Sequence, residues 1–338
     1  MLNLHTVFNI AWFLSVLVSC GKNSNSYLSE EMDRYNNPSN VAGADRPLDY
    51  YLSNLPETGY VEKPVWNSSW YPNSQGGTAY RSNPSDYSPM EKYDLAVNDA
   101  SMNATRWEKQ RSLATRNIPW AGHCNGLAAA STMADSPKHS VVYNNINFTV
   151  EDVKALLIEA WQDGGTVVGG RCNAQRIYYD TDGRMTNSSC RDLNPATFHI
   201  ALANFLGLFH KPIIADIDSG YPVWNYPIVD YTVKLKQKLD IRSVNWWLFN
   251  REDTTYRYNP NAISFMYYQT EITLSIGSKF IYEYILELDA SDIIVGGEWF
   301  RNAKENHPDF IWRHTAPMAE NPYLNIKIIY DIYFESLG

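Results

Sequence analysis

The chain has 338 residues, of which 44% are hydrophobic and 19% are charged. This composition supplies a sizeable apolar core and excludes a wholly disordered chain. The formal net charge of -9 disfavours a nucleic-acid-binding protein, which needs a basic face to neutralise phosphates. The 11 Trp, 24 Tyr and 12 Phe residues suit an exported, sheet-rich protein.

The N-terminus predicts export. Residues 6–19 are mostly apolar but form a run shorter than the roughly 20 residues of a membrane-spanning helix. The run ends in Leu-Val-Ser-Cys-Gly, which resembles a bacterial lipobox with Cys20 as the lipid-bearing residue. A secretory n-region usually carries Lys or Arg, and none precedes this run. The alternative is an ordinary cleaved signal peptide with an incidental Cys. Either reading predicts an exported protein, and the lipobox reading predicts a lipid anchor in the membrane of a bacterial cell envelope.

Three segments follow from composition. Residues 1–20 are the predicted lipoprotein signal peptide, and residues 21–85, rich in Asn, Ser, Pro and Gly, are a predicted tether and loosely ordered leader. Aromatic clusters at 49–52 and 66–71 are the parts of the leader expected to dock onto the folded domain. Residues 86–338 form the predicted folded domain.

Helix signals come first in this domain and strand signals later. Ser88 and Pro89 mark one helix start, and Thr149 with Asp152 marks another, followed by apolar residues at helical spacing from Val153. Apolar and polar residues alternate over 280–288, and similar runs at 228–235, 263–274 and 324–333 also predict strands. The predicted class is therefore α+β, with N-terminal helices packed on an antiparallel sheet.

Four cysteines have different expected roles. Cys172 and Cys190 flank a turn-like Asp-Thr-Asp-Gly segment and predict a disulfide, worth about 3 kcal/mol in an oxidising compartment. A metal site is the alternative for this pair, but the close His or Cys partners that zinc spacing requires are missing. With Cys20 explained by lipidation, Cys124 remains as a lone thiol.

Cys124 stands where a Pro- and Gly-containing loop meets a strongly helical Leu-Ala-Ala-Ala segment. This predicts a cysteine at a helix N-terminus, where the helix dipole favours a thiolate and free N–H groups can stabilise an oxyanion. A buried structural cysteine is the alternative. A thiolate nucleophile also needs a histidine base that is oriented by a hydrogen-bond acceptor.

His199 is the predicted base because it opens an apolar run after the turn at Asn194. The alternative is a structural histidine whose ring nitrogens are hydrogen-bonded within the core. Asp216 follows 17 residues later, which fits two adjacent antiparallel strands that bring the acid back to the imidazole. Asp218 lies on the same strand face as Asp216 and competes for this role.

Several strings, taken in order, resemble the transglutaminase elicitor family of oomycete cell-wall proteins and their bacterial homologues. They are Ser-Pro-Met-Glu-Lys-Tyr-Asp at 88–94, the block at 120–129, Cys-Arg-Asp-Leu-Asn-Pro at 190–195 before His199, Val-Trp-Asn-Tyr-Pro at 223–227 after Asp216, and Gly-Gly-Glu-Trp at 296–299 with His-Pro-Asp-Phe at 307–310. The resemblance implies a papain-like or transglutaminase-like fold. It also implies Cys124 as nucleophile, His199 as base and Asp216 as its partner, with Asp218 or Asn225 as rivals for the third position.

The same resemblance implies that Trp120, Trp224 and Asn225 wall the site. Members of this family transfer the acyl group of a peptidyl glutamine to a primary amine such as lysine. The resemblance implies no required cofactor, with calcium dependence in some members. A cysteine peptidase or deamidase using the same residues, and a non-catalytic surface adhesin, are the alternative functions.

Overall fold

The computed structural model describes residues 38–169, 178, 193–220 and 222–338. The predicted signal peptide, Cys20 and the Cys172–Cys190 pair lie outside these residues. The helices are α1 (Pro89–Ala96), α2 (Asn103–Thr115), α3 (Cys124–Met133), α4 (Val150–Ala160), α5 (Pro195–Ala201), α6 (Ile241–Phe249) and α7 (Ile326–Glu335). Within the described ranges, none of them has the length and apolar character needed to cross a membrane.

The strands are β1 (Thr58–Tyr60), β2 (Val141–Tyr143), β3 (Ile146–Phe148), β4 (Thr166–Val167), β5 (Ile213–Asp216), β6 (Asn225–Leu239), β7 (Ser264–Leu274), β8 (Lys279–Leu288), β9 (Ile294–Trp299) and β10 (Phe310–Arg313). Strands β4, β10, β5, β6, β7, β8 and β9 form one sheet in that order, and every pairing in it is antiparallel. The predicted α+β class with N-terminal helices on an antiparallel sheet is confirmed.

Both predicted helix starts carry the expected caps. Ser88 and Glu91 exchange hydrogen bonds in a capping box at α1, with Pro89 in the first turn. Thr149 and Asp152 form the same arrangement at α4. Each cap satisfies backbone N–H groups that have no partner inside the helix, and so fixes where the helix begins.

The strand predicted over residues 324–333 is wrong, because this segment forms α7. Asn325 accepts hydrogen bonds from the backbone N–H groups of Lys327 and Ile328 and so caps a helix. The buried positions, Ile329, Ile332 and Tyr333, follow helical spacing. Apolar residues at nearly every position hid this period in the sequence.

The sheet separates two apolar clusters. Along β5, Ile213 and Ala215 belong to the cluster that contains α5, whereas Ile214 belongs to the cluster that contains α3 and α4. Successive residues of a strand point to opposite faces, so these two helix groups cover opposite faces of the sheet. Helix α5 continues into a π-helix at Leu202–Leu208 on its face.

The leader is more closely integrated than its composition suggests. Strand β1 pairs with β6 through Thr58, Gly59 and Tyr60. Trp66 is buried in the α3 cluster and donates its indole N–H to the carbonyl of Ala134 at 3.0 Å. Aromatic side chains that bury a large apolar area therefore anchor a polar segment to the domain.

Candidate active site

Cys124 is the first residue of α3. The loop before it is held on Trp70, whose carbonyl accepts the backbone N–H of His123 at 2.8 Å. A Cβ on Gly122 would lie 2.5 Å from the Trp70 ring, and a Cβ on Gly126 would lie 2.1 Å from the carbonyl oxygen of Ile158 in α4. These two glycines let the start of α3 approach its neighbours closely, which fixes the position of the thiol.

The Cys124 thiol faces the beginning of β6. Its Sγ lies 3.9 Å from Asn225 Nδ2, 3.7 Å from Asn125 Oδ1 and 3.8 Å from the carbonyl oxygen of Val223. The Asn225 amide is oriented at both ends, because its Oδ1 accepts the indole N–H of Trp312 at 2.7 Å and its Nδ2 donates to Asn125 at 2.5 Å. The N–H side of Asn225 is thus turned toward the sulfur.

Asp216 stands next to Asn225 on the neighbouring strand, where the two residues are register partners. Its side chain is fully buried, and Oδ1 accepts the backbone N–H groups of Trp224 at 2.8 Å and Asp218 at 3.2 Å. Asp218 itself accepts the backbone N–H of Gly220 in the following turn. Of the rivals for the third position, Asp216 and Asn225 therefore lie beside the thiol, and Asp218 shapes the loop.

The thiol is held protonated by its surroundings. Burial raises the pKa of Cys124, hydrogen bonds from Asn225 lower it, and the negative charge of Asp216 raises it further. The balance is a raised pKa, which favours the protonated thiol. Any chemistry at Cys124 consequently needs a group that accepts the proton.

The structure does not bring His199 to this site. His199 lies in α5, on the opposite face of the sheet, with Nδ1 at 2.8 Å from Tyr284 Oη and its ring centroid 4.7 Å from that of Tyr268. Burial lowers the pKa of His199 to about 3. The predicted placement of His199 and Asp216 on neighbouring strands is therefore wrong, since His199 is helical.

A cleft of about 590 Å³ opens beside Cys124. Its lining includes Trp120 and Asn225, two of the predicted wall residues, together with Trp312 and His314. The third, Trp224, packs edge-on against Trp70 with ring centroids 5.7 Å apart. The sequence does not by itself indicate Trp312 and His314. Phe310 is the register partner of Asp216, and the spacing of two residues from Phe310 to Trp312 to His314 places all three on the cleft face.

Among the described residues that line the cleft, His314 is the histidine. Its ring packs edge-on against Trp161 and Trp312, with centroid distances of 5.4 and 5.1 Å. Burial lowers the pKa of His314, so its imidazole is neutral near neutral pH. A neutral imidazole can accept a proton.

His123 points away from the cleft into a buried group with Glu108 and Glu159. Burial opposes a charge on this imidazole, but the two glutamates outweigh burial and raise the pKa of His123 to about 10. Among the described residues this is the one grouping of three metal-ligating side chains. One nitrogen and two carboxylates do not make the all-oxygen cage that calcium prefers, so the group does not fit that ion.

A cysteine at a helix start, packed against an antiparallel sheet and facing an amide and a carboxylate on adjacent strands, defines an α+β fold of the transglutaminase-like class. The family model for the transglutaminase elicitor matches residues 96–279 and 275–333, which is well over half of the chain. The chain belongs to the transglutaminase elicitor family.

A solved structure shows the same fold. The crystal structure of the GP42 transglutaminase from Phytophthora sojae superposes with a TM-score of 0.69 at 21% sequence identity, covering 86% of this chain and 94% of that one. A search of curated proteins finds no significant match. The similarity in fold agrees with the resemblance that the sequence strings carry.

Proposed function

We propose that this chain is a thiol-dependent protein-glutamine acyltransferase. The observation that carries the proposal is the position of Cys124: a single described thiol at a helix N-terminus, open to a cleft and contacted by an oriented amide. A purely structural cysteine needs none of these features. Membership of a family named for transglutaminase supports the same conclusion.

The proposed reaction has two halves. Cys124 attacks the carboxamide carbon of a peptidyl glutamine, a thioester forms, and the amide nitrogen leaves as ammonia. A primary amine such as a lysine side chain then attacks the thioester, forms an isopeptide bond and releases the thiol. The N–H groups at the start of α3 and the Asn225 amide are the donors available to the developing oxyanion.

In this proposal a histidine of the cleft carries out the proton transfer. His199 lies across the sheet from Cys124, whereas His314 shares the cleft and is neutral. In this proposal His314 takes the thiol proton and returns it to the departing ammonia. Asp216 is a positioning residue, because its hydrogen bond to the Trp224 backbone holds the start of β6 and hence Asn225.

Water in place of the amine would give a deamidase or, with a backbone amide as substrate, a cysteine peptidase. The indoles of Trp120 and Trp312 in the cleft favour amine transfer, because they reduce the space for water at the thioester. A surface adhesin would have no use for an accessible thiol. The proposed location, from the lipobox-like leader, is the bacterial cell envelope, with Cys20 carrying the lipid anchor.

The test is mass spectrometry of a glutamine-containing peptide incubated with the protein and a primary amine, with and without calcium. An amine-linked product supports the proposal. Conversion of glutamine to glutamate alone would indicate a deamidase, and a cleaved backbone would indicate a peptidase. No product under any condition, with folded protein, would contradict an enzymatic role.

Cys124→Ala should give no product in this experiment. Met133→Ala is the matched control, because Met133 is an exposed residue at the other end of the same helix. It should retain full activity. Loss in both variants would point to damage to the helix rather than to the loss of a nucleophile.

A further inference from the structure

Three buried side chains from separate helical segments converge behind the cleft. They are Glu108 of α2, His123 at the start of α3 and Glu159 of α4, and all three are fully buried. Their ligand atoms lie within 4.8 Å of one another. His123 Nε2 is 3.0 Å from Glu159 Oε1 and 3.5 Å from Glu108 Oε1.

Neighbouring groups orient each of these side chains. His123 Nδ1 lies 3.2 Å from the carbonyl oxygen of Tyr71, to which it donates, so Nε2 is the nitrogen that faces the carboxylates. Ser112 donates its hydroxyl to Glu108 at 2.8 Å, and the Thr78 hydroxyl donates to Glu159. Such outer hydrogen bonds are typical of histidine and carboxylate groups that bind metals.

Two buried carboxylate oxygens of this cluster are left without hydrogen-bond partners. Within the described residues, Glu108 Oε2 and Glu159 Oε2 make no hydrogen bond, whereas His123 Nε2 contacts the Oε1 atoms of both glutamates. Buried polar atoms of this kind are rare because each one costs free energy. A single proton on Nε2 can bridge to one glutamate, but it cannot satisfy two.

One positive charge on His123 does not balance two carboxylates. Arg111 of α2 interacts electrostatically with both glutamates, but its salt bridge is to Glu320, at 2.7 Å. A divalent cation would balance the two carboxylate charges, with the imidazole neutral, and would displace any proton from Nε2 into solvent.

We propose that Glu108, His123 and Glu159 bind one divalent transition-metal ion, with Zn²⁺ the best match. Imidazole nitrogen with carboxylate oxygens is a normal donor set for zinc. Calcium and magnesium take oxygen ligands instead, so this site discriminates against them. The ion would tie α2, α3 and α4 together one residue before Cys124, which gives it a positioning effect on the thiol.

The experiment measures bound metal on the full chain. The purified protein is stripped with a chelator, dialysed against zinc chloride with excess calcium, passed through gel filtration and analysed by elemental mass spectrometry. The expected result is one zinc per chain, and Glu108→Gln or Glu159→Gln should retain less than about a tenth of it. No zinc on the wild type, or displacement of zinc by calcium, would overturn the proposal.

Two control variants make the assignment specific. Glu287→Gln alters another buried glutamate, which bonds to Asn259 at 2.6 Å and lies in β8. It should keep one zinc. Cys124→Ala should also keep one zinc, and loss in that variant would mean that zinc binds the thiol.

A second measurement on the wild type covers the case in which the glutamate variants do not fold. X-ray absorption of the zinc-loaded protein should show nitrogen and oxygen neighbours and no sulfur. A sulfur neighbour would overturn the site. Zinc should also raise the melting temperature of the stripped wild type, because a ligand that binds the folded chain stabilises it. An unchanged melting temperature would contradict a site that links three helices.

Discussion

His199 and His314 are both buried histidines, yet they occupy opposite faces of the sheet. His199 bonds to Tyr284 within an aromatic cluster, and His314 lines the cleft beside Cys124. Sequence patterns favour His199 because it opens an apolar run, but such a run does not distinguish a strand from a buried helix. The face that a side chain occupies depends on tertiary packing, which a single sequence does not contain.

Replacing each histidine by glutamine should separate their roles. We expect His314→Gln to lower kcat for amine incorporation by about a hundredfold or more, because general acid–base groups contribute on this scale. His199→Gln should leave kcat within about twofold, since it does not reach the cleft. Steady-state kinetics on the two folded variants measures this, and the opposite pattern would restore His199 as the base.

His199 should also make stability depend on pH. The folded chain keeps a pKa of about 3 at this residue, whereas the unfolded chain has the ordinary value near 6.5. Below about pH 6.5 the unfolded chain binds a proton at His199 that the folded chain does not bind. The free energy of unfolding therefore falls as the pH drops toward about 3. At about pH 5 the loss amounts to about 2 kcal/mol relative to neutral pH.

Urea unfolding of the wild type and His199→Gln at about pH 7.5 and about pH 5 tests this linkage. The difference in unfolding free energy between the two pH values should shrink by about 2 kcal/mol in the variant. An identical difference in both proteins would show that His199 takes up its proton in the folded state.

At the scale of single elements, the start of α3 packs closely against its neighbours at two glycines, Gly122 and Gly126. Gly126 packs against the backbone of α4, and backbone atoms cannot move away as a flexible side chain can. We expect Gly126→Ala to destabilise the protein by about 3 kcal/mol and to lower activity by displacing Cys124. Urea unfolding measures the loss.

Gly277→Ala is the control for Gly126→Ala. Gly277 has a φ of 84° with no atom within 4 Å of an added Cβ, so only backbone strain of about 1 kcal/mol opposes the substitution. Equal losses in both variants would mean that helix packing at Gly126 is not tight.

The elements show which sequence signals are reliable. Ser88 with Pro89, and Thr149 with Asp152, predict helix starts because the paired residues lie close together in the same chain. The long alternating run of β8 predicts a strand for the same local reason. Helix α7 is missed because its apolar residues obscure the period, and Trp312 is missed because its role comes from pairing with β5.

For the whole molecule, the N-terminal motif predicts a tethered enzyme. Cys20→Ala should remove the lipid and release the protein from the membrane fraction, because the lipid chains supply the membrane affinity. The released protein should keep its activity, since Cys20 takes no part in the proposed chemistry at Cys124. Fractionation with an immunoblot measures release, and continued membrane association would contradict lipidation at Cys20.

The central claim is that Cys124 forms a covalent acyl intermediate. Intact-protein mass spectrometry after acid quenching of a glutamine peptide reaction, without added amine, tests this most directly. We predict an adduct equal to the peptide mass less ammonia, mapped to Cys124, absent from Cys124→Ala and lost when a primary amine is added. An adduct on another residue, or amine incorporation by Cys124→Ala, would contradict the account.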